Sequence, residues 1–256
     1  MDKKNVERII IDSLFLTAHR PESTLLKLEG VRGYLSPFKL AYANRVQLVN
    51  AFNVDSSIQS TIDFFKTRNA GLTWVVTSKD IDLGLPEKLV MNGFSPCRFH
   101  KISGMYLECS DAPLEENPVI KIEEIFTDGN TEMIARAYGY NDIDYPKYLY
   151  SVTSNHGDIQ NRLYQAYVQD KNNPIGYGFC SYIENNSIAL MRGAAVLPEY
   201  RGKGVYKALF RRRLADACQT GIQRFVTQAA RDTSYSTCLS LGFEEICPLE
   251  LYEWSP

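Results

Sequence analysis

A short run near the C-terminal end of the chain has the residue types that could hold a polyanion. An apolar stretch ends at Val196, and a turn rich in glycine and basic residues leads directly into a helical pattern. Such a turn directs several backbone amides to one place at the positive end of a helix. Glycines allow close backbone approach and unusual φ angles. The run therefore predicts a pyrophosphate site, formed by Arg201, Gly202, Lys203, Gly204, Val205, Tyr206 and Lys207.

Two readings of this run stay open at the level of the residues alone. One is a phosphate site, and the other is an ordinary helix start with solvated basic side chains. The run is not a P-loop, because GxxxxGK[ST] is missing, and it is not a dinucleotide fingerprint, because GxGxxG is missing.

The cysteines and histidines predict neither a metal site nor a disulfide framework. No two cysteines have CxxC spacing, and the histidines are far apart with no HExxH pattern. We expect the cysteines to be reduced and mostly buried. They stand at positions 97, 109, 180, 218, 238 and 247, and the histidines at 19, 100 and 156.

Hydrophobic periodicity predicts the elements that must position the loop. Before a linker at 113–118, which is rich in proline and acids, we expect helices over 3–19, 55–69 and 86–91 and strands over 72–77 and 105–108. After it, the order is β-α-α-β-β-β-α-β-α-β, with a long helix over about 203–220. The sequence thus predicts an α/β or α+β protein with domains 1–112 and 119–256.

Composition limits the class of protein further. The 256 residues are 45% hydrophobic and 23% charged, with a formal net charge of −2. These values are typical of a globular protein and argue against a dedicated nucleic-acid binder. No apolar stretch is long enough for a transmembrane helix, and the N-terminus does not resemble a signal peptide. We therefore expect a cytoplasmic protein with no membrane or nucleic-acid partner.

The run after Val196 resembles the acetyl-CoA-binding segment of the GNAT (Gcn5-related N-acetyltransferase) superfamily. Arg201, Gly204 and Tyr206 occupy the three fixed places of the family pattern Arg/Gln-x-x-Gly-x-Gly/Ala, and the tyrosine departs from the small residue expected there. Leu241–Glu245 looks like the closing LGF turn of the family. The resemblance covers Val119–Trp254 and implies a mixed central sheet flanked by helices, with acetyl-CoA as co-substrate and no metal.

The N-terminal part carries a weaker resemblance to the same family. Trp74–Val76, followed by Asn92–Phe94 and Gly104–Met105, looks like the degenerate half of a tandem GNAT protein. This half has no Arg-x-x-Gly-x-Gly loop, so it would contribute shape or an interface instead of a second cofactor site. An unrelated α/β cap is the alternative.

The resemblance also implies roles at the thioester. The backbone amides of Ala195 and Val196 would hold the acyl-pantetheine arm. The family's proton donor to the thiolate is a tyrosine four residues before the LGF glycine, and Cys238 stands at that place. Cys238 is either an unusual acid or a core residue, and Tyr235, one turn earlier, is an alternative donor.

The base and the acceptor site are less defined. Many family members have a glutamate on the strand that leads to the loop, and this strand has none. Candidates for the base are Glu184, Asp142, Asp144 and His156. The cluster of Asp142, Asp144 and Tyr145 could recognise a cationic amine. Arg192 could form a buried ion pair or anchor a substrate carboxylate.

Two functions follow from these observations. The first is direct acetyl transfer from acetyl-CoA to a small amine or an amino-acid-like acceptor. The second is a non-catalytic acyl-CoA-binding sensor or assembly protein, which the missing tyrosine and glutamate favour. The apolar last strand, Leu249–Trp254, offers an edge for pairing in a homodimer.

Overall fold

A computed structural model of the chain gives its secondary structure. It describes residues 1–50, 52–108, 119–125, 131–139, 148, 151–154, 157–168, 172–185 and 187–256. The longer elements within these ranges, in chain order, are α1 (Lys3–Ser13), β1 (Thr24–Leu25), β2 (Val31–Leu35), β3 (Arg45–Leu48), α2 (Val54–Lys66), β4 (Leu72–Thr77), α3 (Ser78–Asp82), α4 (Leu85–Met91), β5 (Ser95–Glu108), β6 (Ile120–Ile125), α5 (Thr131–Tyr138), β7 (Gln160–Val168), β8 (Pro174–Ile183), β9 (Ile188–Val196), α6 (Val205–Gln219), β10 (Arg224–Ala230), α7 (Tyr235–Ser240) and β11 (Glu244–Trp254).

The chain forms two compact units. Unit 1 contains Met1–Met105 together with Gln228–Pro256, and unit 2 contains Tyr106–Thr227. The sequence predicts that Gln228–Pro256 belongs to the domain over 119–256, whereas in the structure this segment is part of unit 1. The difference arises because β11 completes the sheet of unit 1. The linker expected at 113–118 lies outside the described residues, so the domain boundary stays a prediction.

In unit 1 the strands follow the order β1-β2-β3-β4-β11-β5. All six residues of β4 are buried, as expected for an interior strand. β3 pairs with β4 in parallel, and α2, which connects them, packs Ile58, Ile62 and Phe65 into the same core as Trp74. The helix that hydrophobic periodicity predicts over 55–69 is therefore confirmed as Val54–Lys66, with an apolar face in this core.

The last strand of the chain lies inside the sheet of unit 1. β11 pairs antiparallel with β4, from Leu249 opposite Thr77 to Trp254 opposite Leu72, and has β5 on its other side. Both of its hydrogen-bonding edges face strands of the same unit. The expectation that Leu249–Trp254 pairs across a dimer is therefore wrong for this strand.

Unit 2 supplies the strand and the helix on either side of the predicted loop. Its sheet order is β10-β9-β8-β7-β6, in which β9 is parallel to β10 and antiparallel to β8. All ten residues of β8 are buried. A Cβ on Gly176 would lie 3.4 Å from Leu209 Cδ1, so glycine allows α6 to approach β8 closely.

Some short elements were missed from the sequence. β2 and β3 are held by Asn44, which is fully buried and whose side-chain amide donates to the carbonyl of Gly71 at 2.8 Å. Its Oδ1 accepts the amide of Ser36 at 2.7 Å. A buried polar residue of this kind does not appear in a hydrophobic pattern.

In the part of the chain that the structure describes, no helix combines the length and the apolar character needed to cross a membrane.

Candidate active site

A β-bulge distorts β9 shortly before the loop. Phe179 on β8 faces Arg192, whereas Gly178 faces Ala194, so Gly193 is an extra residue with no partner in the register. Gly193 has a φ of 52°, and a Cβ there would lie 1.9 Å from Phe179 Cε1. Glycine is therefore required at the bulge. The bulge was missed from the sequence, although a lone glycine in an apolar strand is a typical sign of one.

The register after the bulge decides which amides remain available at the end of β9. The amide of Leu197 donates to the carbonyl of Ile175 at 2.9 Å. In an antiparallel pair the backbone groups alternate in direction along the strand. The amide of Ala195 therefore points to β8, and the amides of Ala194 and Val196 point away from it. Of the two amides expected to hold an acyl-pantetheine arm, the geometry favours Val196, and it adds Ala194.

The first backbone amides of α6 precede its hydrogen-bond ladder. Gly204 is the N-cap residue with a φ of 80°, and it makes no side-chain hydrogen bond. The first hydrogen bond of the helix runs from the amide of Ala208 to the carbonyl of Gly204 at 2.9 Å. The amides before Ala208 thus lie ahead of the helical ladder. The first turn contains no acidic residue.

Gly202 makes the approach to these amides open. It has a φ of 75°, and a Cβ there would meet no atom of the described residues within 4 Å. The loop residues Arg201 to Gly204 are exposed. An open, uncapped helix N-terminus without an acid is the arrangement that binds phosphate groups.

The corresponding helix of unit 1 has the opposite features. In α2 the N-cap residue is Asn53, whose Oδ1 accepts the amide of Ser56 at 3.1 Å. Asp55 lies in the first turn, where its carboxylate complements the helix dipole and opposes an incoming anion. This helix end is satisfied by its own residues. Of these two helix N-termini, the geometry favours the one at α6 as a phosphate site.

Arg201 fixes the loop with its side chain. Its Nε donates to the carbonyl of Val196 at 3.1 Å, and Nη2 donates to the carbonyl of Ala137 at 2.9 Å. These bonds tie the loop to the end of β9 and to α5. The side chain of the first motif residue is thus engaged with the backbone, so its contribution to an anion site is to shape the loop.

The charges around the loop are mainly positive. Lys207 is exposed in the first turn of α6, and the Lys203 ammonium lies 5.2 Å from the centre of the Tyr200 ring. Glu199, the acid nearest in sequence, forms an ion pair with Arg136. This pairing reduces the repulsion that Glu199 would exert on a bound anion.

Tyr206, the residue that departs from the family pattern, packs sideways along α6. Its ring lies 6.1 Å from that of Phe210 and is partly buried against a core cluster that includes Val196 and Leu209. The large side chain is accommodated by packing on the core. Its backbone amide remains among those that precede the helical ladder.

The candidate proton donors lie on α7 in unit 1. Cys238 is fully buried, which favours its interpretation as a core residue. The Tyr235 hydroxyl donates to Glu245 Oε2 at 2.7 Å, and this bond raises the pKa of the tyrosine. Ser103 and Arg231 also bond Glu245, so the tyrosine belongs to a polar cluster that sequence reasoning missed.

The remaining candidates are separated by the fold. Glu184 is exposed in the turn that precedes β9, with a φ of 49°, whereas the loop follows the other end of that strand. Because β9 has nine residues, the two ends are about 25 Å apart. This separation disfavours Glu184 as a base for a reaction close to the backbone amide of Val196. Asp142, Asp144, Tyr145 and His156 lie outside the described residues.

Arg192 lies in the middle of β9 beside the bulge. Its guanidinium lies 5.0 Å from the centre of the Phe179 ring. Since Phe179 is its partner in the register, the two side chains share one face of the sheet. The neighbouring Tyr177 on β8 shares this face, and its ring contacts Tyr138 of α5.

Comparisons with known proteins agree with this geometry. Residues 122–243 match the model of the acetyltransferase (GNAT) family. No curated protein is significantly similar in sequence. Among the described residues, no group of three or more histidine, cysteine or acidic side chains is arranged to hold a metal ion.

Solved structures with similar folds extend over nearly the whole chain. A GCN5-related N-acetyltransferase from Kribbella flavida has a TM-score of 0.71 at 13% identity, with 98% of this chain and 95% of that chain covered. A tandem GNAT protein from the clavulanic acid biosynthesis pathway has a TM-score of 0.61 at 14% identity, with coverages of 98% and 87%. A functionally unknown conserved protein from Staphylococcus epidermidis has a TM-score of 0.66 at 13% identity, with coverages of 96% and 99%. Identities this low show the fold alone, and they confirm the mixed α/β fold expected from the sequence.

Proposed function

Because residues 122–243 match the model of the acetyltransferase (GNAT) family, we propose that the protein is an N-acetyltransferase that uses acetyl-CoA. The uncapped N-terminus of α6 carries this proposal. It offers backbone amides that precede the helical ladder and no acid in the first turn, and the described residues leave space for a diphosphate around Gly202. The amides of Ala194 and Val196, which point away from β8, support placing the acyl-pantetheine arm along β9.

In the proposed reaction, the neutral amine nitrogen of the acceptor attacks the thioester carbonyl carbon. A C–N bond forms, the C–S bond breaks, the amine loses a proton, and the coenzyme leaves as a thiolate that takes up a proton. A backbone amide near the thioester oxygen stabilises the negative charge that develops there. Val196 is our candidate for this amide, and Tyr235 stays a candidate for the proton donor.

The acceptor that we propose is a small amine that also carries a carboxylate. The guanidinium of Arg192 supports this choice. It lies on one face of the sheet, and Gly176 and Gly178 present the opposite face to α6. Guanidinium groups bind carboxylates through strong, charge-assisted hydrogen bonds. An amino acid should therefore be a better acceptor than the amine left after its decarboxylation.

A second candidate function is binding of acyl-CoA without catalysis. The full burial of Cys238, at the place where the family has its tyrosine, favours it. Both functions require the site at α6, and they differ only in turnover.

Release of free CoA thiol distinguishes the two. The intact chain is incubated with acetyl-CoA and a panel of amino acids, each paired with its decarboxylated amine, and thiol is followed by a colorimetric reagent. Acceptor-dependent release that is faster for the carboxylated member of a pair supports the enzyme and its acceptor class. Binding of acetyl-CoA with no release above hydrolysis across the panel favours the non-catalytic function. The Arg192→Gln variant should lose the preference for the carboxylate and retain release with simple amines.

A further inference from the structure

An arginine of α6 is buried beneath the bulge of β9. Arg213 is 1% exposed, and its Nε donates to the carbonyl of Leu209 in its own helix at 3.1 Å. Its Nη1 donates to the carbonyl of Phe179 at 3.0 Å and to that of Arg192 at 3.3 Å. Within the described part of the chain, its hydrogen bonds go only to main-chain carbonyls, and Nη2 has no partner.

Stability alone does not explain this residue. Burying a guanidinium without a carboxylate is unfavourable, and a well-packed apolar side chain of similar size often stabilises a core more. By contrast, Arg212, one residue earlier, pairs with Asp216 at 2.9 Å in the ordinary way. The position of Arg213 therefore calls for a reason beyond packing.

The two carbonyls that Arg213 Nη1 binds lie on either side of the bulge. Phe179 and Arg192 are the last pair in register before the extra residue, Gly193. A single nitrogen thus bridges β8 and β9 where their ladder is interrupted. A bulge interrupts the ladder between two strands, and the guanidinium adds a hydrogen bond to a carbonyl on each strand at this point.

Two glycines make room for this arrangement. A Cβ on Gly178 would lie 3.1 Å from Arg213 Cζ and 3.3 Å from its Nε. On the other strand, Gly193 has the positive φ that the bulge requires. The guanidinium and both glycines together specify one geometry of β9.

This geometry has a direct consequence for the proposed site. A bulge shifts the phase of a strand by one residue, so it decides which amides point away from the neighbouring strand. With the bulge in place, these are the amides of Ala194 and Val196. We propose that Arg213 is a positioning residue that holds the bulge and thereby directs these amides to the acyl-pantetheine arm. The inference rests on the proposed function.

Binding of two ligands tests the proposal. Calorimetry on the intact chain compares acetyl-CoA with adenosine 3′-phosphate 5′-diphosphate, the nucleotide half of CoA, which carries the phosphates but no arm. For Arg213→Met we expect the Kd of acetyl-CoA to rise about five- to thirtyfold, the effect of losing one to two hydrogen bonds. The Kd of the nucleotide half should stay within about twofold, since α6 and its N-terminus remain.

Other variants separate position from charge and folding. Arg212→Met removes the same charge from the adjacent residue and should leave the affinity for both ligands unchanged. Gly178→Ala keeps Arg213 but presses on its guanidinium, so it should weaken acetyl-CoA binding selectively even if Arg213→Met does not fold. Arg213→Lys, which keeps a charged donor at the end of the side chain but has none at the place of Nε, should recover part of the affinity.

Two results would overturn the inference while leaving the proposed function intact. One is an unchanged affinity for acetyl-CoA in folded Arg213→Met and in Gly178→Ala. The other is an equal loss of affinity for both ligands, which would mean that Arg213 acts on the whole unit. A wild-type chain that binds neither ligand would instead refute the proposed function, and this inference with it.

Discussion

Alanine substitutions at two glycines near opposite ends of α6 separate the stability of the loop from its ability to bind. Gly202 and Gly221 have φ angles of 75° and 88°, and in the part of the chain that the structure describes a Cβ at either would meet nothing within 4 Å. The two glycines therefore match in backbone strain and in free space. They differ in place, because Gly202 precedes the N-terminus of α6 and Gly221 follows its C-terminus.

The expected losses of stability and of affinity follow from the backbone conformation at these two glycines. A residue with a Cβ in the left-handed region costs about 1–2 kcal/mol. Gly221→Ala should lose about this free energy of unfolding, which lowers the Tm by about 2–8 °C for a protein of this size, and Gly202→Ala should lose as much if it keeps the left-handed conformation. If Gly202→Ala escapes the strain by leaving the left-handed conformation, bound acetyl-CoA must restore it. The affinity should then fall by about five- to thirtyfold, the same free energy expressed as a Kd.

The assay combines thermal unfolding with calorimetric titration of acetyl-CoA on both variants. We expect Gly221→Ala to lose Tm alone, and Gly202→Ala to divide about the same free energy between a loss of Tm and a loss of affinity. If Gly221→Ala weakens binding as much, the affinity reflects general stability and not the loop. If Gly202→Ala keeps the stability of the wild-type chain and also binds normally, the left-handed conformation is not needed for binding, and the reasoning is refuted.

Four further predictions concern single side chains. Lys207→Glu places an acid in the first turn of α6, so it should stabilise the helix by about 0.3–1 kcal/mol while weakening acetyl-CoA binding, and unfolding and titration should move in opposite directions. Asn53→Ala removes the cap of α2 and should cost about 1 kcal/mol of stability with no change in acetyl-CoA affinity; a loss of affinity would contradict the assignment of a single site. Cys238→Ala should lower the Tm by removing buried volume and leave kcat unchanged, whereas a large fall in kcat in a folded variant would make the thiol an acid. The hydrogen bond to Glu245 raises the pKa of Tyr235, so Glu245→Gln should lower this pKa toward the ordinary value of about 10. An NMR titration of the tyrosine-labelled protein measures it, and an unchanged pKa would show that the bond does not form in solution.

The local features of the site were predictable because they depend on neighbouring residues. Gly202 and Gly204 between an apolar strand and a helical pattern predict an open helix N-terminus, and the structure has one. Apolar runs such as 72–77 and 188–196 give strands with nearly the expected bounds. In these segments burial, backbone preference and turn residues all favour the same structure.

Other features depend on contacts between distant parts of the chain, and no local pattern encodes them. The place of β11 beside β4 is decided by strand pairing across most of the chain length. The amide directions at the end of β9 depend on a one-residue bulge at Gly193, which only the register reveals. Arg201 has the residue type of an anion ligand, but its guanidinium bonds two carbonyls, one of them on α5.

A calorimetric titration of the intact wild-type chain with acetyl-CoA is the direct test of the proposed acetyl-CoA site at the N-terminus of α6. It reports the affinity and the number of sites in one experiment. We expect micromolar binding at one site per chain, because the N-terminus of α6 is open while that of α2 is capped by Asn53. No binding at millimolar acetyl-CoA, or two equivalent sites per chain, would contradict it.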